Sequence, residues 1–235
     1  MKRVLCIIID QLTGHWEESV KIEGTDLPPV NVAGYHQLGL IPNFSYLINN
    51  GLWIKKPWNR GGCVTMYGMK YIATGSYLDD KYFKYQNRRP AYYGIPEEQL
   101  SFTVAANEYY KGHNKKFIAS IFGCAPWTDD FLFNDCYATY RPWDSGDDVM
   151  LRNCALPWLK SNPGWNLSII YFQGLDEIGD RGCPSYLKSE SPRSSKHSYI
   201  KFLDGLIGEI IEFLKKENLW EETYLIITSD HGAHL

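Results

Sequence analysis

The sequence predicts an α/β protein built on a mostly parallel central sheet flanked by helices. Three observations carry that expectation. Val4–Ile9, Leu167–Phe172 and Tyr224–Ile227 are short, nearly continuous apolar runs, as in strands buried on both faces. Segments of helical periodicity separate them, above all His197–Glu217, where Ile200, Leu203, Ile207, Ile210, Ile211 and Leu214 fall on one stripe. Each run also leads to an acid: Asp10 after the first, Asp176 and Asp180 after the second, Asp230 with His231 after the third. Strands alternating with helices predict βαβ units, and ligands of such sheets bind beyond the strands' carboxyl ends.

After the first strand, residues 11–40 carry Pro28, Pro29 and several glycines and read as loop. Ile41–Gly51 predicts a short helix, with Pro42 suited to its first turn, Phe44, Leu47 and Ile48 on one face, and Gly51 closing it. Leu52–Ile54 starts an extended segment, Asn59–Gly62 is a turn, and Cys63–Gly75 reads as a turn entering a helix that stops at Gly75. Ser76–Pro96, polar and aromatic, suits a loop on the substrate side. A helix over Phe102–Tyr110, a strand over Lys116–Phe122, a helix over Val149–Leu159 and a strand over Trp165–Phe172 follow. Asp129–Asp148 yields no assignment, and Pro184–Lys196 reads as a Ser-rich surface loop. With no repeat or linker visible, one domain over residues 1–235 is expected.

Bulk properties narrow the function classes. A net charge of −3 with scattered Lys and Arg predicts no binding of a nucleic-acid duplex. The 6 cysteines contain no CxxC pair, which argues against a zinc ribbon or a disulfide-dense fold and for reduced, buried thiols. The first apolar run is too short for a signal peptide and no run could span a bilayer, so a cytoplasmic protein without membrane partners is expected. The 17 Tyr and 8 Trp fit either a Tyr-rich core or a cleft lined with rings.

Four places carry candidate chemistry, each with a structural alternative. Asp10 at a strand end suits a metal ligand or a helix N-cap. Asp230 and His231 offer a carboxylate and an imidazole, both good zinc donors, beside Gly232, which permits close backbone approach. Asp176 and Asp180, four apart, share a face if helical and otherwise form a solvated acidic turn. Thr65, after a glycine-rich turn and ahead of a helix, suits a nucleophile whose target sits against helix-start amides, or an N-cap.

The order of these motifs resembles the alkaline phosphatase superfamily, in particular its nucleotide pyrophosphatase/phosphodiesterase branch, with sulfatases as relatives. That family opens with an apolar strand ending in a metal-binding Asp, as Val4 to Asp10 does. Its nucleophile stands ten residues before the glycine of a Thr-Gly pair, and counting back from Thr74-Gly75 lands on Thr65. Sulfatases use a modified Cys or Ser followed by Pro and Arg; here Cys63 is out of register, and Tyr67 and Met69 replace those residues. Asp176 to Asp180 matches the family's next motif, with Asp180 where His is usual. The long helix with Asp204 and Gly208, the last strand and Ser229-Asp-His-Gly232 match its final metal unit.

The resemblance implies an alkaline-phosphatase-like fold, C-terminally shortened relative to the family, whose usual downstream zinc-binding His has no counterpart here; His234 is too near to serve. It implies hydrolysis of a small-molecule phosphate ester with Thr65 as nucleophile and a covalent phospho-enzyme. Two divalent ions are implied: one held by Asp10, Thr65, Asp230 and His231, the other by Asp176 and Asp180. Zinc suits the first, while the all-carboxylate second leans to Mn²⁺ or Mg²⁺. Gly68 stands where phosphodiesterases often have an Asn that holds phosphoryl oxygens, and Lys70 reads as a solvated helix residue or a phosphate neutraliser. A sulfatase-like or phospho-transfer enzyme and a non-catalytic metal-binding subunit are the alternatives. An apolar edge at Tyr224–Ile227 would favour a homo-oligomer.

Overall fold

A computed structural model describes residues 2–16, 19–22, 24–57, 63–75, 101–124, 137–141, 146–180 and 195–232. Its frame is a five-stranded parallel sheet of order β3-β2-β4-β1-β5. The strands are β1 (Arg3–Ile9), β2 (Ala119–Cys124), β3 (Tyr137–Arg141), β4 (Leu167–Phe172) and β5 (Thr223–Thr228). β1 and β4 pair from Val4↔Leu167 to Ile9↔Phe172 and form the sheet's centre, which is why both are apolar on both faces.

The helices are α1 (Val32–Gln37), α2 (Pro42–Asn50), α3 (Thr65–Thr74), α4 (Phe102–Gly112), α5 (Asp147–Met150), α6 (Leu156–Ser161), α7 (Gly174–Asp180) and α8 (Lys196–Lys216). Side chains alternate across the sheet. Leu5, Ile7, Ile9, Ile170 and Phe172 pack with Leu203, Ile207 and Ile210 of α8 and with Phe44 of α2. Cys6, Ile8, Ile169 and Tyr171 pack on the opposite face with Met69 and Ala73 of α3. The α/β expectation therefore holds, with helices on both faces.

Several elements differ from the sequence expectation. Residues 11–40 contain α1, which Asn31 caps by accepting from the Gly34 amide at 2.7 Å. The predicted helix over Val149–Leu159 is α5, a π-helical segment Leu151–Ala155, and α6. Pro157 lacks an amide proton and crowds the carbonyl of residue 153, so the wider turn relieves a helix that would otherwise kink. β3 arises inside the stretch that gave no assignment. The turn at 59–62, the loop at 76–96 and most of the segment 184–196 lie outside the described residues.

Two buried carboxylates pin helix starts. Asp204 on α8 accepts from the Phe44 amide (2.9 Å) and the Asn43 amide (3.2 Å), capping α2 from a distance. Asp147 accepts from the amides of Gln173 (3.2 Å) and Gly174 (3.0 Å) and from the Tyr199 hydroxyl (2.7 Å). It thereby fixes the start of α7, which carries Asp176. Among the described residues no helix is long and apolar enough to cross a membrane.

Candidate active site

β4, β1 and β5 are neighbours, so Asp176, Asp10 and the Asp230-His231 pair emerge at one carboxyl edge. Asp10 continues the even-numbered series of β1, behind Cys6 and Ile8, and so faces α3. Residues 11–16, directly after it, form no helix, which removes the N-cap alternative. Thr65 is the first residue of α3, and Val64 before it makes no side-chain cap. Thr65 is therefore not a cap either. Its Oγ1 lies 3.3 Å from His231 Nε2 and 3.5 Å from Asp10 Oδ2.

His231 Nε2 stands 3.1 Å from Asp10 Oδ1 and 3.8 Å from Asp230 Oδ2. Its Nδ1 lies 2.7 Å from the Gly232 carbonyl, which can only accept, so Nδ1 carries a proton and Nε2 faces the carboxylates. Asp230 Oδ1 accepts from the His231 amide at 2.8 Å and the Gln11 amide at 3.3 Å. A Cβ at residue 68 would stand 2.1 Å from the Asp230 carbonyl oxygen. Gly68 thus lets α3 rest directly on the backbone after β5. At the helix's other end Gly75 takes the left-handed φ of 68° that the C-cap needs.

The site is dry. Asp10, Asp230 and His231 are 1%, 4% and 3% exposed. Burial pushes the Asp10 carboxyl up, the His231 hydrogen bond opposes it, and the Asp176 charge adds to it. Burial and then the Asp10 charge push Asp230 to about 8. Burial pulls His231 down, but the hydrogen bond with Asp10 and the charge of Asp230 prevail and raise it to about 9. Asp230 Oδ2 is buried without a hydrogen-bond partner, and Asp10 Oδ1, also buried, faces His231 Nε2 at 3.1 Å. Two buried carboxylate oxygens gathered about one imidazole nitrogen fit a divalent cation by donor chemistry. Asp10, Asp176 and His231 each offer one ligand atom within 4.8 Å of the others.

The structure thus brings Asp10, Thr65, Asp176, Asp230 and His231 together. Asp180 ends α7, so it stands one turn beyond Asp176 on a helix, and its side chain lies outside the described residues, as does His234. Lys70 is not solvated: it is 4% exposed. Sequence reading passed over Tyr171, whose buried hydroxyl donates to Asp10 Oδ2. The strand register carried a signal for it, since Tyr171 opposes Ile8 on β1 and shares its face. Gln11, which donates to Asp176 from the turn after β1, and Lys196, which donates to Gln11 from the start of α8, left no such signal.

The profile of the family described as "Type I phosphodiesterase / nucleotide pyrophosphatase" matches residues 31–234. The chain belongs to this family. Human ectonucleotide pyrophosphatase/phosphodiesterase family member 5 is 35% identical over 115 residues, 47% of this chain and 22% of that protein. A Vibrio parahaemolyticus protein of the alkaline phosphatase superfamily superposes over 100% of this chain and 55% of its own, with a TM-score of 0.66 at 14% identity. The murine family member 5, solved as an inactive threonine-to-alanine form with AMP, covers 99% of this chain and 57% of its own, with a TM-score of 0.59 at 18% identity. The type I phosphodiesterase fold is shared, and this chain spans little more than half of those solved structures.

Proposed function

We propose that this protein hydrolyses phosphodiesters, of the nucleotide pyrophosphatase kind, with Thr65 as nucleophile and divalent ions as cofactors. The observation that carries it is the Thr65 hydroxyl at the start of α3, 3.5 Å from Asp10 and 3.3 Å from His231, beside the buried carboxylates of Asp10 and Asp230. Asp10, Thr65, Asp230 and His231 would hold one ion, with zinc suited to the imidazole, and Asp176 with Asp180 a second, suited to Mn²⁺ or Mg²⁺. When bound, the ions supply charge neutralisation for the phosphoryl group and a more acidic Thr65 hydroxyl.

The chain's own part is attack and orientation. Thr65 Oγ attacks phosphorus, an Oγ–P bond forms, the bond to the leaving alcohol breaks, and water later cleaves the Thr65–phosphoryl bond. Tyr171, donating to Asp10 Oδ2, holds that carboxylate in one orientation. An α3 start that no side chain caps leaves first-turn amides for phosphoryl oxygens. The AMP complex of the murine neighbour supports a nucleotide ester as substrate.

The test is Thr65→Ala against Thr65→Ser, assayed on nitrophenyl phosphodiester, phosphate monoester and sulfate ester. Thr65→Ala should lose about 10³-fold or more in turnover while metal binding and fold persist, and Thr65→Ser should keep part of it. Wild-type turnover in Thr65→Ala rejects the assignment; preference for the sulfate ester selects the sulfatase-like reading. A non-catalytic metal-binding subunit is favoured by one feature, Asp180 in the place of an imidazole. Metal uptake without turnover on any ester would select it.

A further inference from the structure

We propose that Lys196, acting through Gln11, is a positioning cation that holds Asp176 and competes with the second divalent ion. The inference rests on the reading of Asp10, Asp230 and His231 as ligands of the first. Gln11 follows Asp10 directly, is buried, and adopts a left-handed φ of 58° that a residue with a long side chain rarely takes. Its backbone amide donates to Asp230 Oδ1 at 3.3 Å. Its side-chain Nε2 donates to Asp176 Oδ1, and its Oε1 accepts from Lys196 Nζ.

That arrangement has only one polarity. An ammonium can only donate and a carboxylate can only accept, so the carboxamide is fixed with oxygen toward Lys196 and nitrogen toward Asp176. Each bond polarises the next, and the ammonium charge strengthens the Asp176 contact. Lys196 is itself held in place, as the first residue of α8 behind Ser195, whose hydroxyl accepts from the Ser198 amide at 3.1 Å. A cation there sits at the unfavourable end of the helix dipole, so helix stability does not account for its position. The Asp176 carboxylate is thereby bridged to a positive charge before any ion arrives. A second ion must take Asp176 from Gln11 and approach a fixed ammonium, whereas the carboxamide's two bonds leave Asp10, Asp230 and His231 to the first.

Calorimetric titration of the metal-free full chain with Mn²⁺ tests this, using wild type, Lys196→Met, Lys196→Arg and Gln11→Gly. Glycine accepts the left-handed backbone, so Gln11→Gly removes the bridge without strain. Wild type should take one ion tightly and a second at least about tenfold more weakly. Lys196→Met and Gln11→Gly should each tighten the second ion about tenfold, leave the first within about twofold, and not add to each other in the double variant. Lys196→Arg should behave as wild type. An unchanged or weakened second ion in both Lys196→Met and Gln11→Gly overturns the inference while leaving the proposed function standing. Failure of wild type to bind any ion overturns both.

Discussion

At His231 the Nδ1 proton is committed to the Gly232 carbonyl, and with a value near 9 the imidazole also carries a proton on Nε2 at neutral pH when no metal is bound. Asp230, pushed up by burial and then by the Asp10 charge, holds its proton more tightly than a free carboxyl does. A cation needs the neutral imidazole and the ionised carboxylate, so binding must expel protons. Affinity therefore rises with pH, by about tenfold per unit for each proton expelled, and levels off above about 9. Titrations in buffers of different ionisation enthalpy should show proton release at pH 7; an affinity constant from pH 6 to 9 contradicts the site's electrostatics.

Gly68 makes a second prediction. Gly68→Ala places a methyl against the Asp230 carbonyl, which backbone on both sides cannot yield to without moving α3. A loss of about 1–3 kcal/mol is expected, together with weaker binding of the first ion because Thr65 and Asp230 separate. Unchanged stability and affinity on chemical denaturation and metal titration would refute that reading of the helix contact. Asp10, Asp230 and His231 were legible in the sequence because a strand end fixes where they emerge. Tyr171 was half legible through register, whereas Gln11 and Lys196 were not, since their meeting depends on loop path and a left-handed backbone that no local pattern announces.

Among the helices that carry site residues, α7 is held by a distant carboxylate. α7 begins on the amides of Gln173 and Gly174, and Asp147 on α5 accepts from both. Asp147→Ala removes the acceptor these amides and the Tyr199 hydroxyl share, at a cost of about 1–3 kcal/mol. Because Asp176 lies in the first turn of α7, the second ion should weaken more than the first. Tyr199→Phe, which removes one donor and keeps the carboxylate, should cost less than Asp147→Ala; the reverse order in urea unfolding would overturn this view of Asp147. The long helix α8 was readable from its apolar stripe, and α2 and α3 from proline and glycine at their ends. α1 was hidden because six residues give too few turns for a periodic signal, and the π-helical segment because its cause, Pro157, acts on the turn before it.

β5 is an edge strand of the parallel sheet, and from Thr223 to Ile227 its residues alternate between half-buried and exposed. Leu225 and Ile227 pack into the α8 core, while Tyr224 and Ile226 on the opposite face are 59% and 47% exposed. The expected apolar edge at Tyr224–Ile227 matches the place of β5 in the sheet, although an apolar run alone cannot distinguish a central strand from one that waits for cover. An apolar edge face with free backbone groups tends to be covered by another strand or chain. A second copy of the chain is the cover we expect in solution, since the same face is then hidden on both partners. Light scattering should therefore give a mass of at least twice 27.1 kDa. Ile226→Lys places a charge on that face without touching the α8 core, and it should return the protein to a monomer with the fold and the first ion's affinity retained. A wild-type monomer across the accessible concentration range, or an oligomer that Ile226→Lys leaves intact, would show that this face is not the interface.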